Sequence, residues 1–300
     1  MTEREKYTHT DLACERMRAD TELAGVEYRE EEREGCRISR LRITSREGAE
    51  SIGKPEGYYV TMSFPPLFAI DEGALPALSE VLAELILEVC ARLPTPPRTV
   101  LAVGLGNRAL TADAVGPESI HRMIATRHLM LEEPALFKEL SEVGLALLAP
   151  GVMGETGMEV LDLVAGVEAR IRPDLILAID ALAARSTERL AATIQLSDTG
   201  ICPGSGIGNA RRPLNRETLG VPVIAIGMPT VVNSATLVLE AVHRAGLAEG
   251  ELPPELERVL SEGRSFYVSP RDADVVTERG ARLVADAVNR AFSHGFFGEG

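Results

Sequence analysis

Two aspartates stand where a carboxylate has no packing reason to be. Asp113 lies in the loop "GLGNRALTADAVGP", which follows the apolar run "TVLAVGL". Asp180 ends a second apolar run, "PDLILAID". A short, wholly apolar run reads as a strand buried on both faces, as in a parallel sheet. Ligands of such sheets bind beyond the carboxyl ends of the strands. Acids at those ends point into a crevice, and two on the same edge can face each other. When two carboxyls are close, repulsion splits their pKa values. One takes a proton from water, and the other gives a proton to a carbonyl oxygen or a leaving amine. That is the chemistry of peptide hydrolysis. The same pair could instead hold a divalent metal that activates the water. A plainer use also exists for each, because Asp is a favoured helix cap. Asp113 could cap the helix entered at Pro117, and Asp180 the segment "ALAARSTERL".

Other motifs point less far. Gly104, Gly106 and Ala109 satisfy G-x-G-x-x-G/A after a strand, the pattern of a dinucleotide loop. Thr111, Asp113, Gly116 and Pro117 intervene before the helix, and no ribose-binding acid ends a second strand. Nucleotide binding through "GLGNRA" stays as an alternative; the glycines otherwise serve a tight chain reversal. Ser205 lies between Gly204 and Gly206, but Pro203 occupies the position where a nucleophile elbow needs glycine. A turn or a binding loop fits "CPGSGIGN" better. His121 and His128 fall on one predicted helix, "GPESIHRMIATRHLML", and roughly on one face. With no HExxH pattern, a packing or surface role fits them. Cys14, Cys36, Cys90 and Cys202 form no CxxC pair. They read as reduced thiols, Cys90 in the core and Cys202 exposed enough in a Gly/Pro-rich loop to react.

The elements that must position the two acids are legible as a rhythm. "PALSEVLAELILEVCARL" is an amphipathic helix with Pro76 at its start. From Arg98 onward, strands alternate with helices. "VGLALLAPG", "PDLILAID", "RLAATIQLS" and "VPVIAIGMPT" read as strands. "GMEVLDLVAGVEARI", "NSATLVLEAVHRAG" and "DADVVTERGARLVADAVNRAF" read as helices. Alternation of this kind predicts an α/β fold, a three-layer α/β/α sandwich with a mostly parallel central sheet. Upstream, "CRISRLRIT" and "GYYVTMSF" predict a small peripheral β element within an insertion around residues 35–75. The charged run "EYREEEREG" reads as a solvated stretch.

Composition narrows the class. The 300 residues are 45% hydrophobic, enough for a sizeable core, with a net charge of −14 and an isoelectric point near 5.0. A nucleic-acid surface needs excess Lys and Arg, so direct binding of DNA or RNA is not expected. No run of about 18 apolar residues occurs, so no membrane span is expected. The polar start "MTEREKYTHTDLACE" has no apolar stretch of a secretory signal, which predicts a cytoplasmic protein.

The segments "TDLACE", "VGLGNRALTADAVGP", "TRHLM", "APGVMGETGMEV", "AIDALAARSTERL", "TIQLSDTGICPGSGIGNARRPLN", "ETLGVPVIAIGMPTVV" and "FYVSPRDAD" resemble the spore germination protease family, in order and at the expected distances. The resemblance spans nearly the whole chain and is densest between Thr99 and Val232. It implies an atypical aspartic endopeptidase that degrades the small acid-soluble proteins coating DNA in bacterial spores. The two family aspartates fall on Asp113 and Asp180. It implies a zymogen that removes its own N-terminal segment, at a site with an acid before the cut, then a large apolar residue and Ala. "Thr10-Asp11-Leu12-Ala13" fits, which places the cut between Asp11 and Leu12. Residues 1–11 would then be a pro-segment and 12–300 one peptidase domain. The resemblance further implies a homotetramer, the forespore or spore core as compartment, no cofactor, and the fold of the hydrogenase maturation endopeptidases. Because those bind nickel, a metal-assisted mechanism is the runner-up, with no third ligand assignable here.

Overall fold

The structure, a computed structural model, describes residues 10–17, 23–246 and 266–293, with Glu255, Arg258 and Leu260 between them. Its centre is one sheet. The strands are β1 Val26–Arg33, β2 Cys36–Ile43, β3 Gly57–Ser63, β4 Thr99–Gly104, β5 Gly144–Leu148, β6 Leu175–Ala184, β7 Thr193–Ser197, β8 Val223–Asn233 and β9 Tyr267–Val268. Their order is β1-β2-β3-β7-β8-β6-β4-β5, with β9 pairing β8. The strands β5, β4, β6 and β8 run parallel. From β8 through β7, β3, β2 and β1 every pairing is antiparallel.

Alternation along the strands builds the layers. Val100, Ala102, Leu175, Leu177, Ile179, Ile224 and Ile226 face one side. There they meet helices α2 Leu75–Cys90, α3 Val115–Arg122 and α6 Ala273–Phe292, while α1 Arg46–Ile52 lies on the opposite face, where Ile52 packs with Leu41, Ile43 and Tyr59. Leu101, Val103, Ile176, Ala178 and Val223 face the other side. They pack on Leu161 and Val164 of α4 Val160–Ile171 and on Leu214 and Leu219. Helices on both faces of a sheet make the α/β layering that the alternating pattern predicts. Helix α5 Ser234–Arg244 follows β8, capped by the Asn233 side chain, which accepts from the Ala235 N–H. Among the described residues, no helix is long and apolar enough to cross a membrane.

The peripheral β element joins the central sheet at one edge: β3 pairs β7 in register, so the hairpin extends the sheet. Two readings change. The charged run is β1, an exposed edge strand paired with β2 over its whole length. Cross-strand partners such as Glu27 and Arg42 balance its charge, and a charged edge resists pairing with other chains. Finally, His121 and His128 do not share a helix. α3 stops at Arg122, and the next helix begins at Arg127. The break is held from far away: Ile124 N–H donates to Asn289 Oδ1 at 3.0 Å, and Thr126 Oγ1 accepts from Leu145 N–H at 2.9 Å. Both histidines are exposed.

Candidate active site

The crevice exists because β4 stops before β6 does. The last paired residues are Gly104 and Ile179, and Leu105 N–H closes the edge on the Ile179 carbonyl at 2.8 Å. Asp180 is the next residue. β6 does not end there, as the apolar run suggested, but continues to Ala184 alongside β8. Asp180 is therefore not a strand tip. It is an inner residue left without a neighbour on the β4 side. It is 6% exposed, and its Oδ1 accepts from the Ala181 N–H at 2.9 Å.

Asp113 arrives from the loop after β4. A side-chain carbon on Gly106 would stand 2.0 Å from the Asp113 carbonyl oxygen, and Gly106 has φ +111°. Only glycine allows that reversal at little strain. Asp113 Oδ2 accepts from the Asn107 N–H at 2.7 Å. The turn is tied down from two directions. Thr230 of β8 donates to the Ala112 carbonyl at 2.6 Å, and Thr277 of α6 donates to the Thr111 carbonyl at 2.8 Å. The glycines of the dinucleotide-like pattern thus serve close backbone approach: a side chain on Gly104 would meet the Gly116 carbonyl at 2.3 Å.

Asp113 and Asp180 line one cavity of about 400 Å³, together with Asp11, Ser205 and Tyr267. Burial pushes the Asp180 carboxyl well above the ordinary carboxylate range, with further upward pushes from Asp113 and then Asp11. Burial also raises Asp113, opposed by the Asn107 N–H. The two acids are thereby set apart: the deeper one, facing two like charges, holds its proton more tightly.

The chain's own N-terminal segment runs into this cavity. Asp11 N–H donates to the Ala183 carbonyl at 2.9 Å, and the Ala183 N–H donates to Asp11 Oδ2 at 2.9 Å. Ser205 Oγ donates to Asp11 Oδ1 at 2.8 Å. Leu12 and Ala13 are fully buried. Leu12 packs with Leu182, Ala184 and Val232; Ala13 packs with Leu41, Ile43, Ile52 and Tyr59. Glu15 accepts from the Arg185 and Ser186 N–H groups at 2.8 and 3.0 Å. The segment's partners, Ser205 and Gln195 foremost, carried no motif in the sequence. The glycine-rich run "GICPGSGIGN" was the one signal that backbone comes close there. Cys202 borders the same cavity; burial and Asp11 raise its thiol, the opposite of what a nucleophilic thiolate needs. Among the described residues, no group of three or more His, Cys, Asp or Glu is arranged to hold a metal ion.

A mixed α/β sheet with one buried and one half-buried acid at a strand edge, and a segment of the chain docked beside them, is a site built around a polypeptide. Comparison with known proteins gives the family. The sequence profile described as "Germination protease" matches residues 3–245. A germination protease from Caldanaerobacter subterraneus is 38% identical, over 95% of this chain and 94% of that protein. One from Priestia megaterium is 36% identical, over 91% of this chain and 88% of that protein. Among solved structures, a [NiFe] hydrogenase maturation protease, HycI from Thermococcus kodakarensis, overlaps with a TM-score of 0.35 and 17% identity, over 69% of this chain and 97% of that one. The chain belongs to the germination protease family, and that membership gives it a protease role in spore germination.

Proposed function

We propose that the protein is an endopeptidase of the aspartic type, made as a zymogen, whose substrates are the small acid-soluble proteins of the spore. Asp113, the more exposed acid, is the ionised base that takes a proton from water. Asp180, whose surroundings favour the neutral form, is the acid that supplies a proton to the amide. The hydroxide equivalent attacks the amide carbon, the C–N bond breaks, and the products are a carboxylic acid and an amine. Residues 1–11 are the pro-segment, and the cut falls between Asp11 and Leu12. Homotetramer assembly and action in the forespore or spore core, in the cytoplasmic compartment, complete the reading.

One observation carries it. Asp11, the residue before the proposed cut, lines the same cavity as the two acids and is close enough to raise the Asp180 pKa. The test is to follow the intact mass of the purified chain, and of an added small acid-soluble spore protein, for wild type, Asp113→Asn and Asp180→Asn. Wild type should lose residues 1–11 and cleave the substrate, and neither variant should do either. Undiminished cleavage by both variants would remove the aspartic mechanism. A wild-type rate that collapses on chelation and returns with added metal would replace it with the metal-assisted one.

A further inference from the structure

Gln195 is the residue that brackets the Asp11–Leu12 bond. Its Nε2 donates to the Asp11 carbonyl oxygen at 3.2 Å, and its Oε1 accepts from the Ala13 N–H at 2.7 Å. The orientation of the carboxamide is fixed by its partners. A main-chain N–H needs the oxygen, and a main-chain carbonyl needs the nitrogen. Gln195 is itself buried.

Its place in the sheet is as telling as its contacts. Gln195 of β7 is paired with Gly227 of β8, and Gly227 is paired with Asp180 of β6. Residues paired across a sheet point to the same face. Gln195 and Asp180 therefore rise on one face from either side of Gly227, two strand spacings or about 10 Å apart. Gly227 contributes no side chain between them. Leu182 leans over that position, where a side-chain carbon on Gly227 would meet Leu182 Cδ1 at 2.3 Å, and Leu182 in turn packs on Leu12. Asp11 and Leu182 border both the space beside Gln195 and the cavity of the two acids.

Resting on the reading of the cleft as an aspartic peptidase site, we infer that Gln195 is a further catalytic residue, the donor that stabilises the oxyanion of the scissile carbonyl. As water adds to the Asp11 carbonyl carbon, the π electron pair moves to the oxygen that already accepts from Gln195 Nε2. Asp113 takes the water proton. When the C–N bond breaks, the pair returns to carbon, and the Asp180 proton goes to the Leu12 nitrogen. A fixed donor aimed at developing charge accelerates such a step, because nothing must reorient as the charge forms. The same carboxamide, through its oxygen, holds the segment in register at Ala13. The Ser205 hydroxyl and Ala183 N–H meanwhile fix the Asp11 side chain.

The test variant is Gln195→Glu, which keeps the acceptor for the Ala13 N–H and replaces the donor with a carboxylate oxygen. The first-order rate at which the full chain loses residues 1–11 is read by intact mass. Docking is read separately as hydrogen-exchange protection of the Ala13 amide. The rate should fall roughly 100- to 1000-fold, as when one oxyanion donor is removed, while Ala13 stays protected. The rate of the variant relative to wild type at the same pH should recover partly as pH falls and the new carboxyl gains a proton. An unchanged rate, or a rate that falls only as far as Ala13 protection does, overturns the inference. If Asp113→Asn is inactive while Gln195→Glu is not, the aspartic reading stands and this inference falls alone. If wild type cleaves an added spore protein but never itself, the docked segment is not a substrate and the inference again falls alone. If wild type cleaves neither, both fall.

Discussion

Asp11 and Ala183 hold each other twice, main chain to main chain and main chain to carboxylate, each at 2.9 Å. The second bond uses an N–H of β6 beyond the last pair with β4, Gly104 and Ile179. With no neighbouring strand on that side, the amide is left to serve the N-terminal segment. The chain's own N-terminal segment is therefore docked at the wall of the cleft, and the strength of that docking is measurable.

The hydrophobic part of the grip is Leu12, fully buried among Leu182, Ala184 and Val232. Leu12→Ala should weaken docking by about 2 kcal/mol or more, the usual effect of truncating a buried leucine. Because the segment precedes the first strand of the sheet, the loss should appear as local release. Hydrogen exchange at the Ala13 amide should speed up, while the urea midpoint of the domain barely moves. Exchange as slow as in wild type would mean that the polar contacts alone suffice.

Stability should depend on pH through Asp180. Its folded pKa is raised, by burial first and then by Asp113 and Asp11. The folded state then binds more protons than the unfolded state wherever pH lies between the unfolded value, about 4, and the folded one. In that window stability falls as pH rises. Its contribution is fully present below the unfolded pKa and is lost as pH climbs through the folded pKa. Asp180→Asn removes the titrating group, so its urea midpoint should decline less than that of wild type over the same pH series. Parallel curves for the two proteins would contradict the burial argument.

What the sequence revealed and what it hid follow one division. The apolar runs of β4, β6 and β8 were legible because strands buried on both faces need little else, and an acid in such a run stands out. β1 was illegible because Glu27–Arg33 shows no apolar alternation; its pairing depends on β2, which supplies Arg42 and Arg37 opposite Glu27 and Glu32. The break after Arg122 was illegible because Asn289, distant in sequence, captures the Ile124 N–H. The acids themselves could be named from local pattern. Their companions could not: Ser205 meets Asp11 across 194 positions and Gln195 meets it across 184.

Gly116 should tolerate no side chain. A carbon added there would lie 2.2 Å from the Leu105 carbonyl oxygen, 2.5 Å from the Ile179 carbonyl oxygen and 2.6 Å from Leu105 N. All three are backbone atoms, which cannot swing aside. α3 would have to lift from the ends of β4 and β6, the two strands that form the crevice. Gly116→Ala should lower stability by about 1–3 kcal/mol, as overpacking generally does, seen as a reduced urea midpoint. Cleavage should suffer beyond what unfolding explains, since Asp113 enters the same turn three residues earlier. Full activity under conditions where the variant is folded would show that the acids do not depend on this contact.

Reaction rate against pH should separate the two acids. Asp113 must be ionised to accept the water proton, so the rate should rise as pH passes its folded pKa, which burial lifts above the ordinary carboxylate value. Asp180 must keep its proton for the leaving amine, so the rate should fall as pH passes its own, higher value. The result is a bell whose limbs are apparent values of the coupled pair. Its alkaline limb carries a further expectation. Asp11 is one of the two like charges that raise Asp180. Neutralising it by Asp11→Asn should lower the Asp180 pKa and draw the alkaline limb of self-processing to lower pH, whatever happens to the height of the curve. Asp11 does not figure among the causes that shift Asp113, so the acid limb should stay in place. Intact-mass kinetics of the two proteins across pH give both limbs. An alkaline limb that stays put, or an acid limb that moves with it, would show that the proton donor is not the buried carboxyl at position 180.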